Sequence, residues 1–370
     1  MSRTLKLILV AGARPNFMKV APLIHAARRH NADASATTRF DCRLVHTGQH
    51  YDDAMSEVFF RELGIPKPDV NLGVGSGSHA TQTASVMVGF EKVCLEEKPD
   101  WVVVFGDVNS TVACTLVAVK LGIKVAHVEA GLRSFDRTMP EEINRLVTDS
   151  IADLLLTPSE DGNENLRREG VPEARIKLVG NIMIDSLIAN LEQARRSSIL
   201  QQCGVQPGNY LYVTLHRPAN VDDRASLTAI AGELKRLAAK MPVVFPVHPR
   251  TSKMFSEFGI SLNGDSGCHL VDPVGYHDSV CLTENARFVL TDSGGLQEES
   301  TYFRTPCLTL RPNTERPVTI TVGSNRLTKI TTLAEDLNQV LAASPRLGRL
   351  PEMWDGKTSG RILSALALVN

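Results

Sequence analysis

The sequence predicts an α/β protein built from two doubly wound, parallel-sheet halves. Three observations predict it. Short apolar runs recur at residues 5–11, 42–46, 101–105, 124–128 and 154–157, and again at 210–215, 243–247 and 288–291. Most are followed by a turn and then by apolar residues at helical spacing, and such strands joined by helices indicate a parallel sheet covered on both faces. The chain's 370 residues also exceed what one core ordinarily holds, so two domains are expected. Their expected bounds are 1–180 and 181–350, with 351–370 forming a C-terminal helix that packs back on the first domain.

Composition narrows the function classes. Hydrophobic residues at 43% and charged ones at 22% describe an ordinary globular chain. A net charge of −1 argues against nucleic acid or a membrane surface as partner, and 5% aromatics against base-stacking platforms. The seven cysteines (Cys42, Cys94, Cys114, Cys203, Cys268, Cys281, Cys307) are scattered and never spaced C-x-x-C. They read as reduced, mostly buried thiols rather than a disulfide frame or a zinc site, and no metal is expected. Residues 5–11 run straight into Arg14-Pro15 without a signal-cleavage pattern, and no apolar run reaches membrane-spanning length. A cytoplasmic protein is expected.

In order, the first strand ends at Gly12-Ala13-Arg14-Pro15 and leads into a helix through Ala21, Leu23, Ile24 and Ala27. The second ends at Thr47-Gly48-Gln49-His50, before a helix through Met55, Val58, Phe59 and Leu63. Gly73-Val74-Gly75-Ser76-Gly77-Ser78 superficially resembles a dinucleotide fingerprint, but it follows no strong strand and lacks a third glycine at the right spacing, so it reads as a flexible loop or lid. The third strand ends at Gly106-Asp107, before a helix through Val112, Leu116, Val117 and Val119. The fourth ends at Glu129, and a charge closing a strand of Val and Ala needs a partner or a job. The following loop holds Arg133 and Arg137. Glu141 then stands at a helix start, where two readings compete. Thr138 and Glu141 have capping-box spacing around Pro140, and Glu141 lies four residues before Arg145. Alternatively, Glu141 and Glu129 perform acid/base work on one small molecule.

The second half begins after residues 176–179 and a helix over 185–196, with 197–209 reading as a polar connecting loop. Its strands end at His216-Arg217-Pro218, His248-Pro249-Arg250 and Asp292-Ser293-Gly294-Gly295. Two such halves face to face make the cleft of a GT-B fold, lined by both sets of strand ends. The Asp292-to-Glu299 stretch is the sharpest anion signal. Strand, Ser-Gly-Gly turn and helix start offer free N–H groups to a phosphate, although a tight turn alone also favours glycine. Glu299 is placed to accept from ribose hydroxyls, and Arg316 and Arg14 offer planar forks to a diphosphate. His216 and His248, each beside an arginine or proline turn, fit either a cationic role near that diphosphate or a structural one.

These segments, with His127-Val128-Glu129-Ala130-Gly131-Leu132-Arg133, Pro140-Glu141-Glu142-Ile143-Asn144-Arg145, Gly180-Asn181 and Glu315-Arg316-Pro317, occur in one order along nearly the whole chain. In that arrangement the sequence closely resembles the non-hydrolysing UDP-N-acetylglucosamine 2-epimerases. The resemblance implies a GT-B homodimer that interconverts UDP-N-acetylglucosamine and UDP-N-acetylmannosamine without a cofactor, by eliminating UDP to a 2-acetamidoglucal and adding it back. It places Asp107, Glu129 and Glu141 on the acid/base carboxylates and His216 on the catalytic histidine. Arg14, Lys19, Ser293, Gly294, Gly295, Glu299 and Arg316 fall on UDP-binding positions, with His248 and Arg133 as further cleft residues.

Three segments depart from the family pattern. His216-Arg217-Pro218-Ala219-Asn220 stands for the usual His-Arg-Arg-Glu-Asn, and Gln49-His50-Tyr51-Asp52 for Gln-His-Arg followed by Gln or Glu. Both belong to the effector region of substrate-activated members, so kinetics without that activation are expected. Asn16-Phe17-Met18-Lys19 replaces a Glu-containing version and leaves a related UDP-diacetamido sugar or uronic acid open as substrate. A GT-B glycosyltransferase, needing an acceptor, and a silent UDP-sugar-binding regulator remain as alternatives.

Overall fold

The structure, a computed structural model, describes residues 3–48, 64–262, 267–344 and 346–369, apart from the side chain of Arg14. The helix expected through Met55 to Leu63 and the departure at residues 49–52 lie outside these. The chain divides into two compact units, Met1–Ala189 with Glu352–Asn370, and Asn190–Pro351.

Unit 1 is built on seven parallel strands: β1 (Arg3–Ala11), β2 (Thr38–His46), β3 (Val70–Asn71), β4 (Trp101–Phe105), β5 (Lys124–Val128), β6 (Leu154–Thr157) and β7 (Ile176–Leu178). Their order is β3-β2-β1-β4-β5-β6-β7. The strand order reverses between β1 and β4, and in such sheets the crevice at that reversal is where ligands bind. The sequence explains the centre of this sheet. β4, Trp-Val-Val-Val-Phe, is buried at all five residues, as a strand covered on both faces must be. Among the helices, α1 (Arg14–Ala32), α2 (His79–Glu97), α3 (Asn109–Lys120) and α4 (Pro140–Ile151) follow β1, β3, β4 and β5.

Unit 2 repeats the plan with six parallel strands: β8 (Leu211–Thr214), β9 (Val243–Pro246), β10 (Cys268–Val271), β11 (Phe288–Thr291), β12 (Cys307–Leu310) and β13 (Asn325–Thr328). The order β10-β9-β8-β11-β12-β13 puts the reversal between β8 and β11. Leu211 and Val213 enter the core on one sheet face while Tyr212 enters the core on the other, the two-residue alternation of a strand. Both units are thus doubly wound, the pair of sheets of a GT-B fold.

Two expectations need correction. Residues 197–209 are more than a connecting loop: Ile199–Gln202 is a helical turn, and Ile199, Cys203 and Val205 are buried in the core of unit 2. Three apolar residues among polar ones anchor the segment. The glycine-rich stretch after β3 is pinned rather than lid-like. Val74 N and Gly75 N donate to Thr47 O and Gly48 O at 3.1 and 2.9 Å, and Ser78 caps α2 by accepting from Thr81 N.

The last helix, Thr358–Leu368, lies against α1. Its first turn is held by Asp185, which accepts from Thr358 N at 3.1 Å and from Ser359 N and Oγ at 2.7 Å. Among the described residues no helix is long and apolar enough to cross a membrane.

Candidate functional site

In unit 1 the strand ends at the reversal are fastened to one another. Asn16 Oδ1 accepts from Gly12 N (3.1 Å) and Ala13 N (2.9 Å), while its Nδ2 donates to Phe105 O (3.0 Å), tying the turn after β1 to the end of β4. From α1, Lys19 reaches the end of β5, where its Nζ stands 2.5 Å from Glu129 Oε2. Glu129 is buried, and its second oxygen, Oε1, has no hydrogen-bond partner among the described residues. Its backbone is left-handed, φ 71°. A buried carboxylate with one oxygen unmet, on a strained non-glycine residue, is the pattern found where structure yields to function.

Gly106 makes this pairing sterically feasible. At φ 65°, a Cβ there would stand 2.8 Å from Lys19 Nζ and 3.6 Å from Glu129 Oε2. The next residue, Asp107, lies 2.5 Å through Oδ2 from Arg145 NH2 of α4 and is partly open to solvent. Arg145 NH1 meets Glu142 Oε2 at 2.7 Å. Glu142 also accepts from Ser134 N and Oγ (2.9 Å each) and Phe135 N (3.0 Å), which fixes the loop between β5 and α4.

The neighbouring Glu141 is half-buried and makes no hydrogen bond or ion pair among the described residues. The capping box does not form. Met139 is the N-cap without a side-chain bond, and Thr138 Oγ1 turns to Asp136 Oδ1 at 2.6 Å. Arg145, the expected surface partner of Glu141, is buried with Asp107 and Glu142 instead. Arg133 is buried too, with its guanidinium on Asp149 (2.7 Å) and Glu169 (2.8 and 2.7 Å). It stabilises the loop rather than lying open to a ligand. Asp107 and Glu129 therefore end neighbouring, paired strands, and Glu141 opens the helix whose arginine reaches Asp107.

In unit 2 the organising residue is Asp292, which directly follows β11 and is completely buried. It accepts from His216 N and Arg217 N (2.9–3.1 Å) and from Asn220 Nδ2 (3.0 Å), and it lies 2.9 Å from His216 Nδ1. Burial alone would raise its pKa, but His216 and these donors outweigh that and hold it below the usual carboxylate range. His216 is thereby oriented with an exposed ring, 5.7 Å between centroids from His248. His248 caps the helix Pro249–Phe258, its Nδ1 accepting from Arg250 N at 3.2 Å.

Ser293, Gly294 and Gly295 open the helix Gly294–Phe303 with no side-chain cap. Its first N–H groups and the positive dipole end suit an anion. Arg316 stands beside them: a Cβ on Gly294 would lie 3.0 Å from its NH1. Its guanidinium is braced by Glu298 Oε1 (2.9 Å from Nε) and by Glu315, which also binds Arg311 at 2.8 Å. One turn in, Glu299 is buried, and burial, helped by the charge of Glu298, pushes its pKa up to about 8. Sequence reasoning gave no role to Asp292, Glu298, Glu315, Asn220, Glu142 or Asp149. The motif containing Asp292 was legible, but a carboxylate's partner on another strand is not. Among the described residues no cluster of His, Cys, Asp and Glu is placed to hold a metal ion.

Comparison with known proteins joins these features to a family. A family model described as UDP-N-acetylglucosamine 2-epimerase matches residues 32–367. The UDP-N-acetylglucosamine 2-epimerase of Methanocaldococcus jannaschii is 43% identical over 330 residues, 87% of this chain and 88% of that protein. The UDP-2,3-diacetamido-2,3-dideoxy-D-glucuronate 2-epimerase of Pseudomonas aeruginosa is 40% identical over 326 residues, covering 87% and 88%. The crystal structure of the M. jannaschii UDP-GlcNAc 2-epimerase in complex with UDP-GlcNAc and UDP matches with a TM-score of 0.87 at 40% identity, covering 98% of this chain and 99% of that one.

Proposed function

The chain belongs to the UDP-N-acetylglucosamine 2-epimerase family, and on that premise we propose that it interconverts UDP-N-acetylglucosamine and UDP-N-acetylmannosamine. The observation that carries the reading is Glu129, a buried carboxylate held by Lys19 with one oxygen unmet among the described residues. A proton on the carbon bearing the acetamido group needs a base, and its replacement from the opposite face needs an acid. Asp107, Glu129 and Glu141 are the groups for that exchange. As the C2 proton passes to a carboxylate, its bonding electrons form the C1–C2 double bond. The bond from C1 to the diphosphate oxygen breaks, and UDP leaves with that electron pair. Re-addition reverses the steps, with the proton delivered to the other face of C2.

Unit 2 carries the residues suited to the leaving group. The N–H groups after Ser293 and the braced Arg316 answer the charge that develops on the departing diphosphate. His216, oriented by Asp292, adds a donor, and Glu299 takes the ribose hydroxyls. Arg14 is read as a further diphosphate contact. Lys19, given to UDP on resemblance, is read here as the counter-ion of Glu129. No cofactor is invoked. The same reading makes the protein cytoplasmic and a homodimer, and the exposed apolar residues Val88 and Leu95 on α2 support the second of these. A second substrate reading rests on the near-equal identity to the diacetamido-glucuronate epimerase.

Incubation with UDP-N-acetylglucosamine in heavy water, followed by NMR, tests the proposal. Deuterium should enter C2 of both epimers, with traces of UDP and glucal released. Retention of the original hydrogen at C2 without glucal overturns the elimination route. Turnover of the diacetamido uronate alone would move the substrate to the second reading.

A further inference from the structure

We propose that His127 is a positioning residue that works as a buried imidazolium, cross-linking the turn that carries Asp107 to the turn that carries Glu129. The inference deepens the function proposed above and rests on it for its kinetic part only. His127 is completely buried in β5, one residue before that strand ends. Its Nδ1 lies 2.6 Å from Asp149 Oδ1 and its Nε2 lies 2.7 Å from Gly106 O. A carbonyl oxygen has no proton to give. Asp149 is itself surrounded by donors: its Oδ2 accepts from Gly131 N at 3.0 Å and meets Arg133 NH1 at 2.7 Å. Burial works against its charge, yet His127, Arg133 and Gly131 N hold its pKa below the usual carboxylate range.

Both ring nitrogens therefore face acceptors. A neutral ring has one N–H and one lone pair, and in either tautomer it would turn that lone pair on an oxygen at hydrogen-bond distance. The doubly protonated ring satisfies both contacts. Charge balance points the same way. Arg133 is shared between Asp149 and Glu169, so fully buried Asp149 has a cation of its own only if His127 carries one.

The geometry gives this cation its use. Gly106 immediately precedes Asp107, and its carbonyl is aimed at the ring from a left-handed backbone. Gly131, bound by the other oxygen of Asp149, is two residues past Glu129. One rigid path, Gly106 O to His127 to Asp149 to Gly131 N, thus sets the spacing of two turns that carry two of the three carboxylates given to the proton exchange at C2. It needs two donors pointing in opposite directions, which a neutral imidazole or a side-chain amide cannot supply.

NMR of the full chain labelled with 15N-histidine decides the protonation state without any substrate. Both ring nitrogens of His127, identified by loss of its signals in His127→Gln, should show a directly bonded proton at neutral pH. A single protonated nitrogen on His127 overturns the proposal. For the positioning role, His127→Gln and Asp149→Asn should each lower kcat roughly a hundredfold, the scale of a small misplacement of catalytic groups. UDP affinity and KM should stay near wild type. A folded variant with unchanged kcat, or with the loss confined to KM, overturns the positioning role. If a variant fails to fold, the ring signals of His127 are assigned in the wild-type chain by through-bond correlation to its own backbone amide, and that spectrum decides the protonation state. A doubly protonated His127 in a protein that turns over no UDP-sugar would defeat the proposed function and leave the imidazolium standing.

Discussion

At Glu129 the chain holds a bulky residue in left-handed backbone, at a cost of about 1–2 kcal/mol, and buries a carboxylate with one oxygen unpartnered among the described residues. Neither choice favours stability, and Lys19 offsets only part of the burial of the charge. Asp107 shares its charge with Arg145 and keeps part of its surface open. If the pair exchanges protons with C2, then Glu129→Gln and Asp107→Asn should each reduce C2 exchange about a hundredfold to ten-thousandfold. UDP affinity by calorimetry should hardly move. Near-normal turnover in either variant would return that residue to a structural role. Glu299 invites a different measurement. With its pKa raised from 4.5 to about 8, it stays protonated in the fold over a range where the unfolded chain has already lost the proton. The unfolded state then binds fewer protons, so stability falls as pH rises from about 5 to about 8. The thermal midpoint of the ligand-free protein should follow that slope, and Glu299→Gln should flatten it. A slope that survives the substitution belongs to another group.

Between strand and helix the turns do the positioning, and Gly106 is the one that abuts the Lys19–Glu129 pair. Alanine there meets both a left-handed φ and the Lys19 ammonium. Gly106→Ala should lower stability by about 1–3 kcal/mol and reduce turnover further by displacing Lys19 from Glu129. A variant as stable and as active as wild type would show that the turn adapts. The same turns explain what could be read in advance. Strands such as Trp101–Phe105 and Phe288–Thr291 are unbroken apolar runs because both their faces are covered, and they were located without the structure. Cys268–Val271 was not, because all four of its residues are only half-buried at the sheet edge and form no such run. Asn325–Thr328 is likewise an edge strand, with polar residues at three of its four positions. Glu129 was legible as a charge closing an apolar strand and Glu141 as one opening a helix, while Asp107 gained its role from the family resemblance. Their partners were not legible. Lys19 and Glu129 are separated by 110 residues, His127 and Asp149 by 22, and neither spacing carries a local signal.

In unit 1, α2 leaves Val88 at 62% and Leu95 at 57% of their surface open, two helical turns apart, with Ala84 exposed one turn before Val88. Apolar residues aligned in this way suit a second copy of the chain. In the proposed homodimer, Val88→Asp with Leu95→Asp should halve the mass seen by sedimentation while leaving the secondary structure intact. A wild-type protein that already sediments as a monomer would remove the dimer from the reading. The course of the chain has another effect. Unit 1 closes only with Glu352–Asn370, because Asp185 caps the last helix and Trp354 Nε1 donates to Pro158 O. During synthesis, then, the ribosome delivers all of Asn190–Pro351 before unit 1 receives its final helix. The second unit can mature first while the first stays unfinished, its Asp185 awaiting a partner 174 residues downstream. On the proposed assignment, the Ser293-Gly294-Gly295 turn and Arg316 are therefore complete before the unit that carries Asp107, Glu129 and Glu141 receives its last helix.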